Sequence, residues 1–427
     1  MKIIDLRNFD TAPSGALSRP VFDTRSLELT VAGILKEVKE KGDEAVKKYS
    51  LQFDKVSPDP VEVSSQEIAE AASLVGSALK AAIRQAKENI EAFHGKQAEV
   101  AVPVETMAGV KCWRKTVAIE KVGLYIPGGT APLFSTLLML GIPARIAGCR
   151  EIVLCSPPDR QGRLHPAILY AAQLVGVTKI FKIGGVQAIA AMAYGTETIP
   201  KVYKIFGPGN QYVTCAKQLV QQDGLAIDMP AGPSEVAVYA DETANPAFAA
   251  ADLLSQAEHG VDSQVILVSS SPDMVEAILS AVDQQVEQLP RKETARKALE
   301  NSRAFIIKDE GQAMDLLNEY APEHLILACK NAEQLAEQVI NAGSVFLGHF
   351  SPESVGDYAS GTNHVLPTNG YARAYSGVSL DSFVKKITFQ QLTREGIRHI
   401  GPVVELMAEA EGLQAHANAV RVRLKEI

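Results

Sequence analysis

The 427-residue chain has no run of five or more basic residues, no C-x-x-C pair and few cysteines. Each absence narrows what it does. Without a basic footprint, and with a net charge of −8, a nucleic-acid partner is not expected. The five cysteines, Cys112, Cys149, Cys155, Cys215 and Cys329, are odd in number and sparse. The opening MKIIDLRNFDTAPSG lacks the apolar segment of a signal peptide, so these thiols read as reduced in a cytoplasmic protein. Cys149 and Cys155 lie by a predicted strand and read as buried core. Long apolar runs are missing too. One uncharged stretch, Val122 to Ala144, has spanning length, but Pro127, Gly128, Gly129, Pro132 and Pro143 break it. It reads as strand, loop and short helix, and no membrane partner is expected.

What is present is the composition of a globular protein, 46% apolar and 22% charged, too long for a single ordinary core. The first hundred residues read as helical. Leu27 to Tyr49 gives a helix pair punctuated by Gly42. Ser64-x-x-Glu67 is a capping box, followed by one long amphipathic helix with Ile68, Ala72, Val75, Leu79, Ala82, Ala86, Ile90 and Phe93 on its apolar stripe. From about residue 120 short β-rich runs alternate with helical stretches. The first series is 123–127, 151–155, 179–183 and 201–205; the second is 235–240, 264–269, 304–308, 324–328 and 344–348. Strand–helix–strand order predicts parallel sheets covered on both faces, in two α/β units. From about Ser382 the tail reads as helical, with a break near Gly412 and a stripe of Leu413, Ala417, Val420 and Leu424. Such a tail needs a surface to pack on, which a second subunit offers.

Several predicted strands end in glycine turns: 126–129, 183–185 and 206–210. Ligands of parallel sheets bind at the carboxyl ends of strands, where glycine lets backbone N–H groups approach a phosphate. The dinucleotide fingerprint is imperfect, however. In Gly207-Pro-Gly209-Asn-Gln-Tyr212 a tyrosine stands where the third glycine belongs. A tight turn without ligand explains the motif as readily as a nucleotide site does.

The chemistry-bearing residues gather in the second half. Gln256 and His259 are three apart on a predicted helix, so they share a face. Asp357 sits in the glycine-flanked stretch GDYASG, read as a loop, with His364 seven residues on. Glu411 and His416 lie in the tail. Gln256, His259, Asp357 and His416 together offer two imidazoles, a carboxylate and an amide oxygen, a nitrogen–oxygen donor set that zinc accepts while leaving room for substrate. Taken singly, each is as readily a structural residue. Glu323-His324 stands directly before a predicted strand. Histidine is the natural proton acceptor near neutral pH and a carboxylate can activate water, but a charged strand edge is an equal reading.

Together, the motifs GLYIPGGTAPL, GPGNQYV, MPAGPSE, LLSQAEHGVDSQ, APEHL, GDYASGTNHVLPT and EGLQAHANAV, in order from residue 123 to 420, resemble the histidinol dehydrogenase family. The resemblance implies NAD-dependent oxidation of L-histidinol to L-histidine in two hydride transfers through L-histidinal, the last step of histidine biosynthesis. It implies one Zn2+ per subunit on Gln256, His259, Asp357 and His416, with His324 as general base and Glu323 activating water. Ser234, His364 and Glu411 then join these residues in contacting substrate, and Tyr125, Gln187 and Asn210 contact NAD. It further implies a homodimer whose tails complete each other's sites. The implied fold is two incomplete Rossmann-like domains with a helical N-terminal arm (1–22) and a C-terminal helical tail (376–427). Residues 23–119 with 233–375 are expected to form the metal and catalytic domain, and 120–232 the NAD domain. Two alternatives stay open: a zinc- and NAD-dependent dehydrogenase of another small polyol or hydroxy acid, and a zinc hydrolase in which Glu323 activates metal-bound water.

Overall fold

The computed structural model describes residues 1–9, 13–20, 25–128 and 132–427. Gly129 to Ala131 of the first glycine turn, and parts of the arm, lie outside the described residues. Fourteen strands are found among the described residues: β1 (Lys2–Asp5), β2 (Val104–Met107), β3 (Val110–Ala118), β4 (Lys121–Tyr125), β5 (Glu151–Ser156), β6 (Lys179–Lys182), β7 (Lys204–Phe206), β8 (Ala226–Ile227), β9 (Glu235–Ala240), β10 (Gln264–Ser269), β11 (Arg303–Ile306), β12 (His324–Ala328), β13 (Ser344–Leu347) and β14 (Val384–Leu392).

They form three sheets. One is parallel with order β6-β5-β4-β7-β8. A second, also parallel, runs β1-β11-β10-β9-β12-β13. Counted from β4 and from β9, both follow the order 3-2-1-4-5, which is the doubly wound order without its sixth strand. The two incomplete Rossmann-like units expected from the sequence are therefore present. Period-two alternation covers both faces of each sheet. In β5, Ile152 and Leu154 enter one core while Val153 and Cys155 enter the opposite one. In β9, Val236 and Val238 are divided in the same way from Ala237 and Tyr239.

The structure departs from the sequence reading in four places. The long helix after the capping box is two helices, Ser65–Leu74 and Ser77–Gly95, because Val75 turns extended and Gly76 caps the next helix. Helices 25–95 pack on the five-stranded sheet rather than with the catalytic unit. Val31, Ile34 and Leu35 join Tyr125 and Val153 on one face, and Ile83, Ala86 and Ile90 join Leu124 and Leu154 on the other. The arm, expected to be helical, opens on β1, which supplies a partner for the otherwise bare edge of β11. The tail begins with a nine-residue strand, β14, paired antiparallel to β3 along its length. Its polar sequence hid it, since this small sheet is stabilised by cross-strand pairs such as Trp113 on Phe389 rather than by burial. Only then come the helices Arg394–Ala410 and Gln414–Leu424. No helix among the described residues is long and apolar enough to cross a membrane.

Candidate active site

The carboxyl ends of the five-stranded sheet enclose a cavity of about 1380 Å³. Tyr125, Pro127 and Gly128 line it after β4, Ser156 and Pro157 at and after β5, Gly185 after β6, and Asn210 and Tyr212 after β7. The order of strands reverses between β4 and β7, the switch point at which such sheets bind ligands. The glycine turn here has a definite task. Gly207 has φ of +125°, and a Cβ on it would run into the Tyr125 carbonyl oxygen. Its N–H donates to Asp228 Oδ2 at 2.8 Å, and its carbonyl accepts from Lys217 Nζ at 2.8 Å. A buried Lys217–Asp228 ion pair closes this support. Asn210 caps the next helix, its Oδ1 accepting from the N–H groups of Tyr212 and Val213. Gln187 is fully buried beside the cavity; its Nε2 donates to Asp54 Oδ2 at 3.3 Å, while its Oε1 has no partner. Ser156 Oγ, which borders the cavity, is also buried without a partner. Buried polar atoms of this kind are normally satisfied, and a polar group in the cavity would satisfy Ser156 Oγ. Asp54, which no sequence signal marked, lines it too.

The second cluster lies at the opposite, amino edge of the six-stranded sheet, where β9 and β12 begin. Glu323 and His324 are both buried, at 7% and 2% exposure. Although adjacent residues of an extended chain diverge, here His324 Nδ1 lies 3.6 Å from Glu323 Oε2. The backbone of one residue, Glu235, arranges this. The Glu235 N–H donates to Glu323 Oε2 at 2.8 Å, and the Glu235 carbonyl is 3.0 Å from His324 Nδ1. A carbonyl only accepts, so Nδ1 carries the hydrogen and Nε2 is the free atom. That Nε2 is buried without a hydrogen-bond partner, 3.3 Å from Asp357 Oδ1.

Burial raises the pKa of Glu323 well above the usual carboxylate range. Burial also opposes charge on His324, but Glu323 and then Asp357 outweigh it and hold the imidazole above its ordinary range. For Asp357 too, burial is outweighed, here by the His324 imidazole 3.3 Å away, and its carboxyl is held low. Asp357 is on the short helix Glu353–Tyr358 rather than in a loop. Gln256 is in the last turn of helix Pro246–Ala257, and His259 follows directly, its N–H on the Gln256 carbonyl. The charges of His259 and Asp357 act on one another across the space between.

His364 bridges the two units. Its Nδ1 is 2.7 Å from the Asp357 carbonyl and its Nε2 2.9 Å from Thr136 Oγ1, on the helix that follows β4. Both ring nitrogens are thus engaged by protein. Ser234 stands next to Glu235 at the start of β9. Glu411 and His416 are not brought to the cluster. Both are exposed on the tail, and no side-chain hydrogen bond or ion pair among the described residues joins them to it. The sequence reading missed Glu353, which is 1% exposed, accepts from Ser255 Oγ at 2.5 Å and keeps Oε2 unpartnered. Its spacing of four from Asp357, one turn of helix, is the signal that marks it.

Among the described residues no group of three or more His, Cys, Asp or Glu side chains is poised to hold a metal. The donor set anticipated from sequence places only His259 and Asp357 of those types together, beside the Gln256 amide. Those three are of the nitrogen and oxygen types that zinc accepts.

The family profile described as histidinol dehydrogenase matches residues 17–424. The histidinol dehydrogenase of Bacteroides thetaiotaomicron is 62% identical over 411 residues, 96% of each chain. That of Escherichia coli is 53% identical over 414 residues, 96% of this chain and 94% of the other. The crystal structure of histidinol dehydrogenase from Elizabethkingia anophelis superposes with a TM-score of 0.96 at 55% identity, covering 100% of this chain and 98% of that one. With fold, length and motifs in agreement, the chain belongs to the histidinol dehydrogenase family.

Proposed function

We propose that the chain oxidises L-histidinol to L-histidine through L-histidinal, reducing two NAD in succession. The observation that supports this most is the Glu323–His324 pair, held by the backbone of Glu235 and facing Asp357. Removing a hydride from an alcohol requires loss of the hydroxyl proton, and the buried His324 Nε2, once the ring is neutral, is the acceptor for it. The hydride of each oxidation leaves to NAD, the redox reagent of both steps. The aldehyde must then take up water before a second hydride can leave. Glu323, when ionised, accepts the proton of that water as its oxygen bonds to the carbonyl carbon. Between the two oxidations the intermediate has to stay bound, and burial of the pair keeps bulk water away from it.

Gln256, His259 and Asp357 hold zinc in this reading, with His416 from the tail of a second copy as fourth ligand. Bound there, zinc would supply an anchoring point for the substrate between the two oxidations. Ser234, Glu411 of the second copy and His364 complete the substrate contacts; for His364 the bond to Thr136 must open first. Tyr125, Gln187 and Asn210 position NAD in the cavity above β4 and β7.

A homodimer is supported by the apolar surface the tail exposes, with Leu406 70%, Met407 60% and Val403 51% accessible. Next to Asp357, Tyr358 and Val355 are also more than half exposed, at 58% and 51%. Burying such surface between subunits is favourable at about 25 cal/mol per Å². The five cysteines are all free, which agrees with a reducing cytoplasm. The test is NADH formation with L-histidinol against a panel of polyols and hydroxy acids, with and without a chelator. Two NADH per histidinol, lost on chelation, are expected. Turnover confined to another alcohol, or product formed without NAD, refutes the proposal.

A further inference from the structure

The Glu235 residue, whose backbone sets both members of the pair, is itself held from outside the sheet. Glu235 is 2% exposed, so its carboxylate needs a partner. It has one in Arg19, far away in sequence, on the arm. Arg19 Nε donates to Glu235 Oε1 at 2.5 Å and Nη2 to Oε2 at 2.9 Å, a two-pronged pair. The same Nη2 reaches the Tyr320 carbonyl at 2.7 Å, and the guanidinium lies over the Tyr320 ring at 4.1 Å. The Asn369 N–H adds a bond to Glu235 Oε1 at 3.0 Å. Tyr320 is tied in turn to Gln264 of β10 at 2.9 Å, and Gln264 Nε2 returns to the Ser18 carbonyl beside Arg19 at 3.1 Å.

Thus the arm, the loop at Asn369, and strands β9 and β10 lock one side chain. The backbone of that residue then donates to Glu323 and accepts from His324. A stability role alone would not require the pair to sit at this residue. A buried ion pair is often no more stabilising than an apolar one of like volume, and is retained where it fixes a geometry.

We infer that the Arg19–Glu235 pair is a positioning device for the Glu323–His324 pair. It holds the Glu235 backbone so that its N–H fixes the Glu323 carboxylate and its carbonyl keeps hydrogen on His324 Nδ1, leaving Nε2 of the neutral ring as the acceptor. This rests on the proposed roles of Glu323 and His324. Arg19 and Glu235 are positioning residues, since neither side chain touches the reacting atoms.

The test uses the zinc-loaded enzyme with L-histidinol and NAD. Arg19→Met should lower kcat by about ten- to a hundredfold, the cost of a misplaced catalytic group. KM for histidinol and zinc content should hold within about threefold, because neither depends on an interaction the variant removes. The primary isotope effect with histidinol deuterated at the carbinol carbon should rise as the chemical step becomes limiting. Arg19→Lys, which keeps the charge but loses the fork, should fall between. The double variant Arg19→Met with Glu235→Gln removes the stranded buried charge, so it should recover thermal stability but not kcat. Recovery of kcat together with stability makes the pair merely structural and overturns the inference, as does an unchanged kcat in Arg19→Met. Wild-type kcat in His324→Ala and Glu323→Ala, run alongside, refutes the underlying roles instead.

Discussion

Replacing Glu323 by glutamine separates the two oxidations. The substitution keeps the shape and an oxygen to accept from the Glu235 N–H, now at 2.8 Å. Folding loses only the difference between a charged and a neutral hydrogen bond, about 1 kcal/mol, and gains relief from a buried carboxylate. The chemistry loses more. A general base contributes about 10²–10⁴-fold, which is about 3–5 kcal/mol on the barrier at 1.36 kcal/mol per decade. That loss should fall on the hydration step alone. The first oxidation uses His324, whose hydrogen bond to the Glu235 carbonyl is untouched. Glu323 is also the foremost group raising the His324 pKa. Without it the ring sheds its proton at lower pH, and the limb of the first oxidation that rises with pH moves to lower pH. The assay is stopped-flow NADH absorbance with histidinol limiting, followed by reaction of the products with an aldehyde reagent. Wild type should give two NADH per histidinol, and Glu323→Gln one, with L-histidinal accumulating. The reasoning is refuted if the variant still gives two NADH at the wild-type rate, or if it loses the first oxidation as completely as the second.

Two further outcomes follow from other parts of the molecule. Burial raises Asp54 from its ordinary 3.8 to about 6, against the bond from Gln187. A raised acid pKa means the native state holds the proton more tightly, so stability falls as pH climbs from about 4 through 6; Asp54→Asn should raise Tm at pH 8 and leave it unchanged below pH 4, and an unchanged Tm at pH 8 contradicts this. On the proposed sharing of sites, mixing His416→Ala with His324→Ala subunits should restore about a quarter of wild-type activity, one intact site in each mixed dimer. No recovery after demonstrated subunit exchange rules out a shared site.

Local pattern was enough for much of this. Short β-rich runs of consecutive apolar residues placed β9, β10 and β12 at the bounds observed, and the Ser64–Glu67 capping box formed as spacing requires. Motif identity singled out Gln256, His259, Glu323, His324 and Asp357, because the chemistry a residue can do is written in its type. What the sequence alone could not decide depends on distance in space. Nothing local in VKKITFQQL says strand, since its partner β3 lies more than 260 residues earlier. Asp54 meets Gln187 only because the helix before it packs on the helix that carries Gln187. The histidine pair was legible, but not the reason its two members face one another. That reason is the backbone of Glu235, brought alongside by strand pairing and locked by Arg19. Residue type set the chemistry, and the packing of remote segments set which atoms stand free to perform it.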